Sequence, residues 1–183
     1  MPNLLVKPNG THGRVSHVTP ESAGWTYVGF DLHRMKPGEI VAAETGSREV
    51  CLVWISGKGK ATAGGKDFGV LGERMNPFEG APHALYIPAD SNWSVTAETD
   101  LELAVCSAPG GGDHEAKAIP PGTHPKLSRG KGSNVRHVYN IMPEDDNSAH
   151  SLLVVEVITP SGNTSSYPSH KHDRDDLPNE SLL

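Results

Sequence analysis

Two histidines one residue apart, in Ser169-His170-Lys171-His172-Asp173, are the side chains of this sequence best spaced to do chemistry. In an extended strand alternate residues share a face, so His170 and His172 would point the same way, with α-carbons about 6.5 Å apart. Neutral imidazoles in that arrangement can grip one zinc, iron, nickel or copper ion. Such a site needs three or more ligands, usually completed by a carboxylate and a further histidine. The same residues also fit a solvated polar loop, because Lys171, Asp173, Arg174, Asp175 and Asp176 crowd around them.

Other reactive side chains are less well placed. Glu44 and Glu49 could form a carboxylate pair for acid/base work, but two acids flanking a turn are more often solvated. His83 follows Pro82 in a loop, where a surface or hydrogen-bonded role is expected. Cys51 and Cys106 each sit in an apolar, strand-like run, which suits small buried thiols rather than nucleophiles. Gly57-Lys58-Gly59-Lys60 and Gly110-Gly111-Gly112 lack both phosphate-loop spacing and a following helix, so they read as a hairpin turn and a connection. No Gly-x-Ser-x-Gly motif is present.

Composition narrows the partners. The formal charge of −6 and 16 scattered Lys and Arg provide no basic field for a phosphate backbone, so nucleic acid is not an expected partner. No apolar run approaches the length of a membrane span, and Leu4-Leu5-Val6 is too short for a signal peptide, so no membrane association and a cytoplasmic location are expected.

The elements that must position these residues are strands. Twenty glycines and 15 prolines in 183 residues suit short strands with many turns, and an all-β class follows. Thr26 to Leu32 alternates so that Val28, Phe30 and Leu32 share a face. Val50 to Ile55 is continuously apolar and too short for a helix, which predicts a strand buried on both faces. Further strands are expected at 60–63, 84–88, 93–97 and 101–107, with a barrel or sandwich as the result. Ala108 to Asp113 breaks the pattern, and residues 111–132 read as a linker. Strand character returns at 135–141 and at 152–159, while no convincing amphipathic helix is seen. The later strands cannot bury their apolar faces alone and must pack on the first unit or on further sequence.

The order Gly38, Glu49, Gly57, Pro88 has the outline of a small barrel of the cupin type, but Glu44-Thr45-Gly46 stands where a metal-binding member carries His-x-His. Taken together, Asn140-Ile141-Met142-Pro143, Ser151 to Val157, Ser161-Gly162-Asn163, Ser165 to Asp173 and Leu177-Pro178-Asn179-Glu180-Ser181 resemble the 5-deoxyglucuronate isomerases of bacterial myo-inositol catabolism. The resemblance implies a bicupin, with residues 1–110 as an N-terminal barrel without metal ligands and 133–183 as the start of a C-terminal, metal-binding barrel. It implies conversion of 5-deoxy-D-glucuronate to 5-dehydro-2-deoxy-D-gluconate, an aldose–ketose isomerisation assisted by a divalent zinc, manganese or iron ion. It makes His170 and His172 the first two metal ligands and places a glutamate and a later histidine beyond residue 183, with Glu180 lying close to the expected carboxylate but ahead of it. On this reading the second barrel is truncated, residues 1–183 alone are inactive, and exposed strand edges favour a homo-oligomer. The related 4-deoxy-5-hexosulose-uronate ketol-isomerase and a non-catalytic sugar-binding cupin are the alternatives. No residue is assigned as general base, Asp173 is as well placed to orient a ligand as to fill that role, and on a strand Lys171 would face away from the histidines.

Overall fold

A computed structural model of the chain describes residues 5–111 and 113–165. His170 and His172, with Lys171, Asp173 and Glu180, lie outside the described residues. The strands are β1 (Gly13–Val18), β2 (Gly29–Met35), β3 (Ile40–Glu44), β4 (Arg48–Ser56), β5 (Gly59–Ala63), β6 (Lys66–Leu71), β7 (Ala84–Ile87), β8 (Asn92–Ala97), β9 (Leu101–Pro109), β10 (Lys117–Ile119), β11 (Lys126–Arg129), β12 (Arg136–Met142) and β13 (Val154–Ile158). They form three antiparallel sheets: a six-stranded one in the order β1-β2-β9-β4-β7-β10, a four-stranded one β3-β8-β5-β6, and a three-stranded one β11-β12-β13. Among the described residues no helix is long and apolar enough to cross a membrane.

Strand β4 explains the layering. Alternation sends Val50, Leu52 and Trp54 to one side, where they join Leu85, Ile87, Trp93, Val95 and Leu103 between the six- and four-stranded sheets. It sends Cys51 and Val53 to the other side, where they pack with Tyr86, Ile119, Ile141, Met142 and Leu152. The six-stranded sheet is therefore covered on both faces, the condition under which a strand is apolar at every position. Each fully buried aliphatic or aromatic side chain contributes about 1.5–3 kcal/mol.

The first interior is filled by aliphatic and indole side chains. Among the described residues the buried polar or charged ones are Thr45, Glu49 and Arg74, and none belongs to this apolar cluster. Two glycines close its end: a β-carbon on Gly57 would sit 2.1 Å from the Asp100 carbonyl oxygen, and one on Gly72 would sit 2.1 Å from that of Gly57. Both have positive φ, 92° and 97°, which only glycine adopts without strain.

Several sequence expectations change. The segment 111–132 is more than a connection: β10 adds to the edge of the six-stranded sheet by pairing with β7, with Ile119 opposite Ala84, and β11 pairs with β12. Proline and glycine punctuate this stretch, but three or four residues between them are enough to pair once a partner edge is waiting. In β2 Met35 joins the first core and Leu32 packs on the second, whereas Phe30, on the face of Leu32, lies past the end of that second cover and is 37% exposed. A one-turn helix, Pro20–Ala23, also forms. Thr19 and Ser22 cap it reciprocally and Pro20 opens it, a signal present in Thr19-Pro20-Glu21-Ser22.

Candidate active site

The β12–β13 hairpin precedes the segment in which the sequence analysis expects the metal ligands His170 and His172. Asn163 Nδ2 donates to the Val135 carbonyl at 2.9 Å, and the Thr164 N–H donates to the Ser133 carbonyl at 2.8 Å. These bonds tie the chain after β13 to the connection from β11 to β12.

Two buried charged groups anchor the hairpin to the first unit. Glu49 opens β4 on the side of the second core and is fully buried. Its Oε2 accepts from the Tyr86 hydroxyl at 2.8 Å and the His150 N–H at 2.9 Å. Its Oε1 accepts from the N–H groups of Ser151 at 2.7 Å and Leu152 at 2.5 Å. Three successive backbone donors thus converge on one carboxylate, an anion-binding concavity in the loop before β13. Burial pushes the Glu49 carboxyl up, but the bonds from His150, Ser151, Tyr86 and Leu152 outweigh it, and its pKa lies below the ordinary 4.5. Burial, together with the same carboxylate, pushes the Tyr86 phenol far up, so it stays a donor.

The second anchor is an ion pair. Arg74 Nη1 meets Glu156 Oε2 at 2.8 Å and Nη2 meets Oε1 at 2.5 Å, with side-chain exposures of 3% and 14%. The rest of the guanidinium is satisfied by carbonyls of Ile55, Pro77 and Gly80 at 2.9, 3.2 and 3.0 Å. Alternation along β13 turns Glu156 and Val154 toward the first unit and Val155 and Val157 away from it.

On the outward side three apolar side chains are exposed: Leu153, Val155 and Val157 at 59%, 53% and 43%. An open depression of about 490 Å³ lies there, lined by Arg129, Asn140, Met142, Glu144, Leu153 and Val155.

The remaining predicted residues separate. Glu44 is exposed at the end of β3 opposite Asn92, in a different sheet from Glu49, so the two make no carboxylate pair. The expectation that both are solvated holds for Glu44 and fails for Glu49, whose charge is held by donors a hundred residues later in the chain. His83 is half-buried; its Nδ1 is buried without a hydrogen-bond partner, and burial, opposed by the Glu73 charge, pulls its pKa down. The imidazole is neutral in that setting. Cys51 and Cys106 face each other across β4 and β9. Burial raises both thiols, that of Cys106 to about 11, so both are protonated at neutral pH. Among the described residues no three His, Cys, Asp or Glu side chains gather to hold a metal ion.

Residues 4–183 match the KduI/IolB family. The chain belongs to that family. Among curated KduI/IolB-type relatives, the 5-deoxy-glucuronate isomerase of Geobacillus kaustophilus is 48% identical over 172 residues, 93% of this chain and 62% of that protein. The 5-deoxy-glucuronate isomerase of Bacillus licheniformis is 39% identical over 189 residues, 100% of this chain and 70% of that protein. The crystal structure of an IolB-like protein from Salmonella typhimurium superposes with a TM-score of 0.93 at 45% identity, covering 98% of this chain and 68% of that one. The chain thus spans somewhat less than two thirds of the first of these relatives. The family match runs through His170 and His172.

Proposed function

We propose that this protein is a 5-deoxyglucuronate isomerase, converting 5-deoxy-D-glucuronate to 5-dehydro-2-deoxy-D-gluconate in myo-inositol catabolism. The observation that carries this reading is the 48% identity to a 5-deoxy-glucuronate isomerase across 93% of the chain. The outward face of the β11-β12-β13 sheet supports it. A sheet with one face packed on the first unit and an opposite face that carries an open depression is the expected first wall of a second cupin barrel. The remaining strands and donors of that barrel belong, on this proposal, to the sequence that the relatives carry beyond the match.

His170 and His172 would hold a divalent ion such as zinc, manganese or iron, since their two imidazoles are the right donor type and the described residues offer no competing cluster. Bound there, the ion supplies Lewis-acid polarisation of the aldehyde oxygen, worth several kcal/mol in the transition state. The chain's own contribution is placement. Asp173, next to His172 in sequence, would serve either to orient an imidazole or as a base. Val155 and Leu153 give the substrate an apolar wall. Glu49 and the Arg74–Glu156 pair fix that wall to the first unit.

Elemental analysis tests the ligand assignment. The protein completed through the second barrel is expected to carry one divalent ion per chain, and H170A/H172A to carry none, because too few donors are left for tight coordination. Undiminished metal in the double variant would contradict the assignment.

A further inference from the structure

The face that receives substrate in this reading carries an arginine with no partner among the described residues. Cross-strand register sets Leu127 opposite Val138 and Arg129 opposite Arg136, and sets Asn140 opposite Val155. Paired residues share a face, so Arg129, Arg136, Asn140 and Val155 all lie on the outer side of the β11-β12-β13 sheet. Arg129 lines the depression there with Asn140 and Val155.

The other arginines among the described residues are engaged. Arg34 pairs with Glu102, Arg14 with Asp31 and Arg74 with Glu156, while Arg48 donates to carbonyls of Tyr27 and Ser107. Arg136 donates only long bonds, 3.3 and 3.4 Å, to Asn134. Arg129 makes no side-chain hydrogen bond or ion pair among the described residues. Glu144 and Asp145 also line the depression, yet neither reaches ion-pair distance of it. Two cations placed directly across a strand pair repel one another, and an anion seated between or beside them removes that cost. The guanidinium fork matches a carboxylate in bidentate geometry. Thr164, the residue after Asn163, is bonded to Ser133 in the connection between the two strands that carry this pair.

We propose that Arg129 receives the carboxylate of a sugar acid in this depression, with Arg136 raising the local positive potential and Asn140 available to a sugar hydroxyl. The proposal rests on the isomerase reading for its choice of a sugar acid. It gives Arg129 a selective role: it favours the acid over the corresponding neutral sugar.

Calorimetric titration of the barrel-complete protein with D-glucuronate and with D-glucose separates the two readings. The unaltered protein is expected to bind the acid more tightly. R129Q is expected to weaken glucuronate about tenfold and leave glucose unchanged, because one charge-assisted bidentate contact is lost. K131Q, an exposed charge removed two residues away, is expected to change neither. Equal glucuronate affinity in R129Q and the unaltered protein, an equal loss in K131Q, or no binding of glucuronate at all would overturn the proposal. Turnover of 5-deoxy-D-glucuronate by the unaltered protein is read separately. A protein that binds the acid through Arg129 without isomerising it would refute the isomerase reading alone.

Discussion

Glu49→Ala is expected to lower stability by about 3–5 kcal/mol and the melting temperature by about 10 °C. Alanine takes away the acceptor of three backbone N–H groups, those of His150, Ser151 and Leu152, and of the Tyr86 hydroxyl. A buried donor left without a partner costs about 1–3 kcal/mol. Removing a buried charge returns part of this, which is why the sum falls short of four full penalties. Glu49→Gln should cost less, about 2 kcal/mol, since one amide oxygen still accepts while the NH₂ faces donors. The pH dependence has a definite sign. The folded-state pKa of Glu49 lies below its ordinary value of 4.5, so its contribution is fully present above that value and is lost as pH falls through the folded-state value. Urea titrations at neutral and acid pH check this: the gap between the unaltered protein and Glu49→Gln should narrow in acid. A gap that stays constant with pH would mean that the carboxylate charge is not what the three N–H groups hold.

Separating Arg74 from Glu156 is expected to cost about 3–5 kcal/mol from either side, because each single substitution leaves a buried charge without its counter-ion. Arg74→Ala also strands the carbonyls of Ile55, Pro77 and Gly80, so it should be the more damaging of the two. The double substitution Arg74→Met with Glu156→Leu should cost much less than the sum, since well-packed apolar pairs commonly replace a buried ion pair at little loss. A double-mutant cycle by chemical denaturation reads the coupling directly. Additive effects would show that the two side chains act independently. Hydrogen exchange gives the spatial half of the test: in Glu156→Ala the amides of β12 and β13 should lose protection before those of β4 and β9, because the hairpin is what the pair ties down.

These anchors mark where the sequence stopped being legible. Strand β4 could be read directly, since an apolar residue at nearly every position means burial on both faces, and both faces are buried. Short strands expected at 84–88, 93–97 and 101–107 from their spacing between turn residues are found at 84–87, 92–97 and 101–109. Glu49 could not be read in the same way. A charged residue beside a turn looks solvated until the chain supplies donors about a hundred positions later. Arg74 stands among Glu73, Met75 and Asn76 in what reads as a polar loop, and its burial depends on Glu156, 82 residues on. Strand β10 has three residues, too few for a periodic signal, and forms because β7 offers an edge. The histidine pair was visible from spacing, whereas Arg129 becomes a candidate only once the register of β11 against β12 shows which face it shares.

The most direct test of the isomerase reading follows 5-deoxy-D-glucuronate by NMR as its aldehyde signal converts to the ketone. Three proteins are compared with zinc, manganese or iron(II) added: residues 1–183, the chain extended through the second barrel, and the extended chain carrying H170A/H172A. The account predicts conversion by the extended chain, with none by residues 1–183 and none by the histidine variant. Equal conversion by the histidine variant, or full turnover by residues 1–183, would contradict it.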